Sequence, residues 1–346
     1  MGQLGFYDLE NRYDGLDGMD PLVLINKVVD WEIFRAQLEA VFRKPDAERK
    51  SKAGRKPWDA VLMFKTIVLC SLYNLSDDQI EYQIRDRLSF MRFLGLGLED
   101  RVPDAKTVWH YRERLTEAGA IEGLFSQFND YLTERGFRAN GGQIIDASVV
   151  SVPKQRNTRD ENERIKAGET PEEWKKKPAK FRQKDTDARW IKKNNTNYFG
   201  YKNTVNVDRN NKFIRRYAVT NAKVHDIKAF PKVLSDDNDS REVWGDKAYY
   251  SKENETMLKA RGLKSRIHKK GYRNKALTEE DDRNNTEQSR IRCRVEHVFG
   301  AQHNDMGGTL VRSIGLDRVT TKIGLKNLAY NIRRLVQLER MAAAPG

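Results

Sequence analysis

Three carboxylates, two on predicted strands and one on a predicted helix, are the residues of this sequence best suited to chemistry. Asp146 lies within the apolar run 143–150, where a buried carboxylate costs free energy unless a cation compensates its charge. Asp246 ends a short apolar segment, and the carboxyl ends of strands are where α/β sheets place their sites. Glu296 follows Arg292 by four residues in a helical pattern, so the two side chains share one face.

Carboxylate oxygens are hard ligands, and a group of them suits Mg²⁺ or Mn²⁺. If the three side chains converge, they hold two such ions about 3.5–4 Å apart, which clamp the attacking and the leaving oxygen of an in-line displacement at phosphorus. The nearby basic residues Arg292, Lys247 and Lys202 would hold the phosphodiester. The pattern therefore predicts phosphodiester chemistry with two metal ions per site.

Each carboxylate also has an ordinary structural explanation. Asp146 can cap a turn at the end of its strand, and turn chemistry after a glycine is the commoner reason for an Asp such as Asp246. Glu296 and Arg292 can form a surface ion pair worth a few tenths of a kcal/mol. The metal-site interpretation gains weight because the three occur together in a basic chain.

The distribution of charge indicates a polyanionic partner. The 346-residue chain has a formal net charge of +14, and residues 151–216 contain 19 Lys and Arg against 9 Asp and Glu. A concentrated positive field suits nucleic acid, because each neutralised phosphate releases condensed counterions. The alternative is a solvated loop, but interleaved aromatic residues argue against disorder; these are Trp174, Phe181, Trp190, Tyr198, Phe199 and Tyr201.

Composition excludes several other classes of protein. Hydrophobic residues make up 38% of the chain, enough for a substantial core. With two cysteines, neither a disulfide framework nor a cysteine-based zinc site is expected. No apolar run approaches the roughly 20 residues that span a bilayer, and the first residues do not resemble a secretion signal. We therefore expect a cytoplasmic protein.

The N-terminal part reads as a series of helices with three- and four-residue apolar spacing. We predict helices over residues 20–42, 58–73, a short segment after the N-cap Ser76, 88–94 and 105–118. The last of these carries Lys106 and Arg112, and short helices with tight turns are compatible with helix-turn-helix DNA binding. An ordinary helical bundle with a charged outer face explains the pattern equally well.

Beyond residue 136 the pattern changes to strands and helices. We predict strands over 143–150, 199–207, 212–219, 242–246 and 264–268, and helices over 251–261, 286–299 and 325–340. Hairpin strands followed by alternating strands and helices imply a mixed α/β fold. The predicted organisation is a helical domain over 1–135, an α/β domain over 136–340 with a basic insertion at about 153–197, and a tail over 341–346.

At these residues the sequence resembles bacterial insertion-sequence transposases of the group related to insertion sequence five. The carboxylate blocks that resemble the family are Ile145-Asp146-Ala147-Ser148, Gly245-Asp246-Lys247-Ala248-Tyr249 and the segment 292–300. Further similar segments are 20–22, 31–34, 103–107, 187–190, 198–202, 224–226 and 328–335. Taken together in this order, the similar segments extend over nearly the whole chain. The set is specific for the family, although no single segment is.

The resemblance implies an RNase H-like core with an Asp-Asp-Glu (DDE) site, preceded by a helical domain that helps recognise terminal inverted repeats. It also implies Mg²⁺-dependent cutting of double-stranded DNA at those ends and transfer of the 3′-hydroxyl to target DNA. A homodimer or larger synaptic assembly, associated with the bacterial nucleoid, is expected. The candidate DNA contacts are Arg292, Lys247, Lys202, His303, Lys106 and Arg112.

Some positions depart from the family pattern. Related transposases often have Tyr and Lys where this chain has Ser289 and His303, and Gly where it has Ala248. In a continuous helix His303 would still lie near the face of Arg292 and Glu296. His225 is either a neighbour of the metal site or makes a structural hydrogen bond at the end of a strand.

Two other functions remain alternatives. The first is an RNase H-like, metal-dependent nuclease that cuts DNA without joining it. The second is a DNA-binding regulator derived from a transposase that has lost catalysis. Retention of all three carboxylates argues against the regulator, and the helical domain with the basic insertion favours sequence-directed binding over general nuclease activity.

Overall fold

The computed structural model describes residues 8–42, 56–193, 195–271, 276–308 and 310–343. These form two compact units, of which the second comprises Asn129–Asn327. The first comprises the described residues up to Phe128 together with those from Leu328 onward. The first unit thus includes the end of the last helix, and the domain boundary at residue 135 stays a prediction.

The first unit is helical, as predicted. Its helices are α1 (Asp8–Leu16), α2 (Pro21–Val28), α3 (Arg35–Phe42), α4 (Ala60–Tyr73), α5 (Asp77–Asp86), α6 (Leu88–Leu94), α7 (Ala105–Glu117) and the first part of α8 (Ala120–Glu134). The single helix predicted over 20–42 is wrong. Asp30 accepts a hydrogen bond from the backbone N–H of Glu32 (3.0 Å) and starts a 3₁₀ turn between α2 and α3.

Local capping explains where the other helices begin. Ser76 forms the expected N-cap of α5 in a capping box with Gln79, and Asp104 caps α7. Helix α4 begins after the cap Asp59, two residues later than predicted from Pro57. Ten of the 14 residues of α4 are buried, as its nearly continuous apolar sequence indicates.

The second unit contains a six-stranded sheet with flanking helices. Its elements are β1 (Gln143–Ser151), α9 (Arg159–Lys166), α10 (Glu172–Lys175), α11 (Pro178–Phe181), β2 (Arg189–Lys193), β3 (Thr196–Asp208), β4 (Ile214–Asn221), α12 (Asp226–Val233), β5 (Glu242–Gly245), α13 (Lys252–Ala260), β6 (Lys264–Ile267), α14 (Glu279–Arg292), α15 (Glu296–Gly300) and the first part of α16 (Leu316–Ala343). A 3₁₀ turn (Cys293–Val295) precedes α15, and a π-helical turn (Ala301–Asp305) follows it.

The sheet is mixed, which confirms the predicted α/β class. Strand β1 pairs with β3 in antiparallel orientation and with β5 in parallel orientation. Strands β2 and β4 both pair with β3 in antiparallel orientation, and β6 pairs with β5 in parallel orientation. The first strand therefore lies at the centre, with antiparallel strand pairings on one side and parallel pairings on the other.

The two faces of the sheet are covered by different helices. On one face Ile145 packs in a cluster with Phe230 of α12 and Leu258 of α13. On the other face Val150 and Tyr201 pack against Val319 and other apolar residues of α16. Because side chains alternate along a strand, Asp146 lies on the face covered by α16.

The basic insertion between β1 and β3 folds around its own small core. Trp174 is fully buried, and its indole N–H donates to Glu161 (2.6 Å). Glu161 also accepts from the backbone N–H of Thr158 (2.8 Å) and from the ammonium of Lys180 (3.0 Å). Although burial raises the pKa of Glu161, these hydrogen bonds bring it down to about 2. The structure thus agrees with the inference that this stretch is not a disordered loop.

Within the described ranges, no single helix is both long and apolar enough to cross a membrane. Helices α4 and α5 satisfy the criterion only as a pair bent by 102°, on length and composition alone.

Candidate active site

Strand register places Asp146 and Asp246 side by side. Ile145 of β1 lies opposite Gly245 of β5 in the parallel ladder; Asp146 is the next residue of β1, and Asp246 directly follows the end of β5. Equivalent positions on neighbouring parallel strands point to the same face of a sheet. The two carboxylates therefore meet at the carboxyl end of β5, at the edge where the sequence predicted a site.

Asp146 is paired with a cation inside the sheet. Its side chain is 18% exposed, and Arg292 Nη1 donates to its Oδ2 at 2.7 Å. Its Oδ1 accepts from the backbone N–H of Ala147 at 2.8 Å. Burial raises the pKa of Asp146, and the negative charge of Asp246 adds to this, whereas Arg292 opposes it. Such a carboxylate requires a nearby positive charge to stay ionised.

Asp246 serves the turn that follows its strand. Its Oδ1 accepts from the backbone N–H of Ala248 at 2.7 Å, and its carbonyl oxygen accepts from Tyr249 at 3.1 Å. The structural role considered for Asp246 is therefore present in the fold. The same hydrogen bond fixes the orientation of the Asp246 carboxylate.

Glu296 is connected to the aspartates by Arg292, which contacts both Glu296 and Asp146. Its side chain is 66% exposed at the start of α15, and its Oε1 is 4.0 Å from Arg292 Nη2. Among the residues that the structure describes, no three His, Cys, Asp or Glu side chains form a group able to hold a metal ion. The structure thus brings Asp146 and Asp246 together and separates Glu296 from them by one guanidinium group.

The carboxylates at this site are of the chemical type that binds a divalent cation. The Arg292 guanidinium stands where positive charge is required, between a partly buried carboxylate and an exposed one. In the described part of the chain, Arg292 Nε and the buried Tyr249 hydroxyl have no hydrogen-bond partner. Hard oxygen donors with an excess of negative charge are the ligands that Mg²⁺ and Mn²⁺ prefer.

Two of the predicted DNA contacts are corrected, because their charges are already neutralised in the fold. Lys202 is buried, and its ammonium donates to Asp226 Oδ1 (2.8 Å) and to the Val224 carbonyl oxygen (2.9 Å). Arg112 is buried in α7 and forms a bidentate pair with Asp77. Neither side chain presents a free cation to DNA, and we assign both a structural role.

The remaining basic candidates are exposed. Lys247 follows Asp246 at the site, and Lys106 lies in the first turn of α7. His303 is also exposed, but the continuous α-helix from Arg292 to His303 on which its predicted position depended is not present. The chain changes from a 3₁₀ turn to α15 and then to a π-helical turn, and each change alters the angular spacing of side chains.

His225 makes a structural hydrogen bond at the start of a helix, and its proximity to the metal site stays a prediction. Its Nδ1 accepts from the backbone N–H of Ile227 at 3.4 Å, so it caps α12.

Two residues near the site were not predicted. Tyr249 is buried, and the charges of three aspartates act on its hydroxyl, while the positive charge of Lys193 in β2 acts on Asp146. Two features of the sequence could have identified them: Tyr249 follows Asp246 by three residues, and Lys193 belongs to the basic insertion.

Fold and site define the class of protein, and comparison with known proteins agrees. Residues 139–332, more than half of the chain, match the family described as transposase DDE domain. Residues 10–114 match a second family, described as transposase domain (DUF772). The chain belongs to the DDE transposase family. Its α/β unit is the RNase H-like core expected for that family, and its helical unit precedes that core.

Individual relatives agree with this family. The transposase for insertion sequence element IS1106 of Neisseria meningitidis serogroup B is 31% identical over 228 residues, which cover 64% of this chain and 75% of that protein. A cryo-EM structure of a piggyBac transposase synaptic complex with hairpin DNA is 10% identical with a TM-score of 0.42. That similarity covers 98% of this chain and 76% of the other. The protein is therefore a DNA transposase, a metal-dependent enzyme that acts on DNA.

Proposed function

We propose that this transposase binds the terminal inverted repeats of an insertion sequence, cleaves the ends and joins the 3′-hydroxyl to target DNA. Asp146, Asp246 and Glu296 are the proposed catalytic ligands, for two Mg²⁺ ions that Mn²⁺ can replace. The supporting observation is the register of β1 and β5, which sets two of the three carboxylates side by side with a guanidinium between them and the third.

The proposed role of the metal ions is to activate the attacking oxygen and to stabilise the leaving oxygen at phosphorus. Asp146 is held rigidly by its strand, and Asp246 is held by its hydrogen bond from Ala248. Glu296 is exposed and free of such restraints, so it completes the site by a change of side-chain conformation. Arg292 then leaves Asp146 and takes up the phosphodiester, since a guanidinium binds phosphate oxygens in bidentate fashion.

The DNA contacts that we propose lie on exposed basic residues. Lys247 lies next to Asp246, and Lys193 exerts its charge on Asp146, so both suit the cleaved phosphodiester. Lys106 on α7 suits the inverted repeat, and His303 suits flanking DNA. A homodimer or larger assembly holding two ends, at the bacterial nucleoid, completes the proposal.

The test is a cleavage and joining assay on DNA that carries the element's ends, with and without Mg²⁺. Asp146→Asn, Asp246→Asn and Glu296→Gln are each expected to abolish cleavage while end binding persists. Asp317→Asn and Glu287→Gln, at exposed positions of the same unit, are matched controls that should cleave normally. Near-normal cleavage by any of the three site variants would remove that residue from the proposed ligands.

The same assay separates the two alternatives. A nuclease would release cut ends but yield no joined product, and a regulator would bind the ends without cutting them. The geometry around Asp146 favours catalysis, because a partly buried carboxylate beside a second carboxylate is costly to retain for DNA binding alone.

A further inference from the structure

Three buried amide side chains meet on the face of the sheet that carries Asp146. Asn327 of α16 accepts at its Oδ1 from Gln302 Nε2 (2.8 Å) and from Asn203 Nδ2 (3.0 Å). Its own Nδ2 donates to Asn203 Oδ1 at 3.2 Å. All three residues are at most 4% exposed. We call Asn203, Gln302 and Asn327 the amide cluster.

The amide cluster connects two parts of the proposed active site. Asn203 lies on β3 opposite Ser148, and the residue opposite Asp146 is Val205, two positions further along the same face. Gln302 lies in the π-helical turn that directly follows α15, which begins at Glu296. Asn327 therefore joins the strand beside Asp146 to the segment that carries the third carboxylate.

The π-helical turn contains Gln302, one member of this connection. Met306 N–H donates to the Ala301 carbonyl oxygen (3.1 Å), a bond that spans five residues and widens the helix by one residue. The wider turn directs Gln302 into the core, where a polar amide is costly without partners. The neighbouring Lys326 donates to the Gly308 carbonyl oxygen, so two successive residues of α16 hold the segment after Glu296.

We propose that Asn327 and Gln302 are positioning residues that set the distance between Glu296 and the two aspartates. The inference rests on the proposed function, because it presumes that Glu296 is a metal ligand. Each amide interaction is directional, whereas apolar contacts allow sliding. Replacing the cluster by apolar residues would retain the packing and lose the register of the Glu296 segment against β3.

The substitutions that test this are Gln302→Met and Asn327→Leu, which keep approximate volume and remove the hydrogen bonds. Ile323→Ala is the matched control, because it removes buried packing from the same helix and leaves the amides intact. Three quantities are measured for each variant: the melting temperature, the Mg²⁺ concentration that gives half-maximal cleavage, and the affinity for Mn²⁺ from its electron paramagnetic resonance signal.

Both amide variants are expected to raise the half-maximal Mg²⁺ concentration and the Mn²⁺ dissociation constant at least tenfold. Ile323→Ala, with an equal or larger fall in melting temperature, should leave both within twofold. Unchanged metal dependence in Gln302→Met, or an equal change in Ile323→Ala, would overturn the inference. If Asn327→Leu does not fold, Gln302→Met decides the question alone, since it removes one of the three hydrogen bonds.

A double variant distinguishes failure of this inference from failure of the proposed function. If the amide cluster acts through Glu296, Gln302→Met should add nothing to the loss of Mn²⁺ affinity already caused by Glu296→Gln. Additive losses would show that Gln302 acts elsewhere, and the inference would be withdrawn with the ligand assignment intact. Normal metal affinity in Glu296→Gln alone would instead overturn the proposed function.

Discussion

Replacement of Arg292 by Met tests whether a guanidinium occupies the place of a cation. The variant keeps most of the apolar stem and loses the 2.7 Å hydrogen bond to Asp146. Both side chains are largely shielded, at 22% and 18% exposed, so a bond to a charged group contributes about 1.5–3 kcal/mol. The 4.0 Å contact with the exposed Glu296 adds less than about 1 kcal/mol. We expect the free energy of unfolding to fall by about 2 kcal/mol.

Divalent cations should reverse this loss. Without Arg292, the Asp146 carboxylate has a raised pKa and no adjacent positive charge, which favours binding of a metal ion beside Asp246. A ligand whose free concentration is 100 times its dissociation constant stabilises the folded state by about 2.7 kcal/mol. Excess Ca²⁺, which binds oxygen ligands, should therefore restore most of the stability of the variant and stabilise wild type less.

The assay is urea denaturation at neutral pH in EDTA and in excess Ca²⁺. Arg266→Met is the control, because Arg266 forms an exposed pair with Glu242 in the same unit and should show neither a large loss nor a response to Ca²⁺. Cleavage by Arg292→Met should still be reduced, since the proposed phosphate ligand is missing. Equal stabilisation of wild type and variant by Ca²⁺ would refute the idea that guanidinium and metal compete for one place.

Other residues give further predictions. Lys106→Ala should weaken binding of the end DNA and lower the salt dependence of that binding by about one phosphate contact. Arg112→Ala should instead lower the free energy of unfolding by about 3 kcal/mol, because it breaks a buried ion pair. Equal melting temperatures for the two variants would contradict this. Lys202→Met should destabilise by about 3 kcal/mol, because Asp226 loses its counter-charge, and adding Asp226→Leu should recover part of the loss. Failure of the double variant to recover stability in urea titrations would contradict a buried pair. Glu161→Gln should cost about 2–3 kcal/mol at neutral pH. Because the folded pKa lies below the usual 4.5, this contribution is present above pH 4.5 and disappears as the pH falls towards about 2. If the urea midpoints of wild type and Glu161→Gln differ by the same amount above pH 4.5 and near pH 2, the prediction is contradicted.

The aspartates of the site could be predicted from the sequence because strand position determines their geometry. Apolar runs identified β1 and β5, and the parallel pairing of these strands places Asp146 beside the end of β5, which Asp246 follows. Helix starts at Ser76 and Asp104 were equally predictable, because capping depends on residues three positions apart.

Features that depend on distant partners could not be predicted. Lys202 and Arg112 looked like free cations, yet their partners lie 24 and 35 residues away in the chain. The break at Asp30 falls within an apolar spacing that continues on both sides of it. The π-helical turn after Glu296 is stabilised by Asn327, so no local pattern reveals it.

Anomalous scattering from Mn²⁺, in crystals of the protein bound to its end DNA, is the most direct test of the central claim. The account predicts manganese peaks about 2–2.2 Å from oxygens of Asp146, Asp246 and Glu296, with Arg292 moved to a phosphate. Peaks that involve only the aspartates while Glu296 remains remote, or Arg292 still paired with Asp146 beside a correctly bound DNA end, would contradict it.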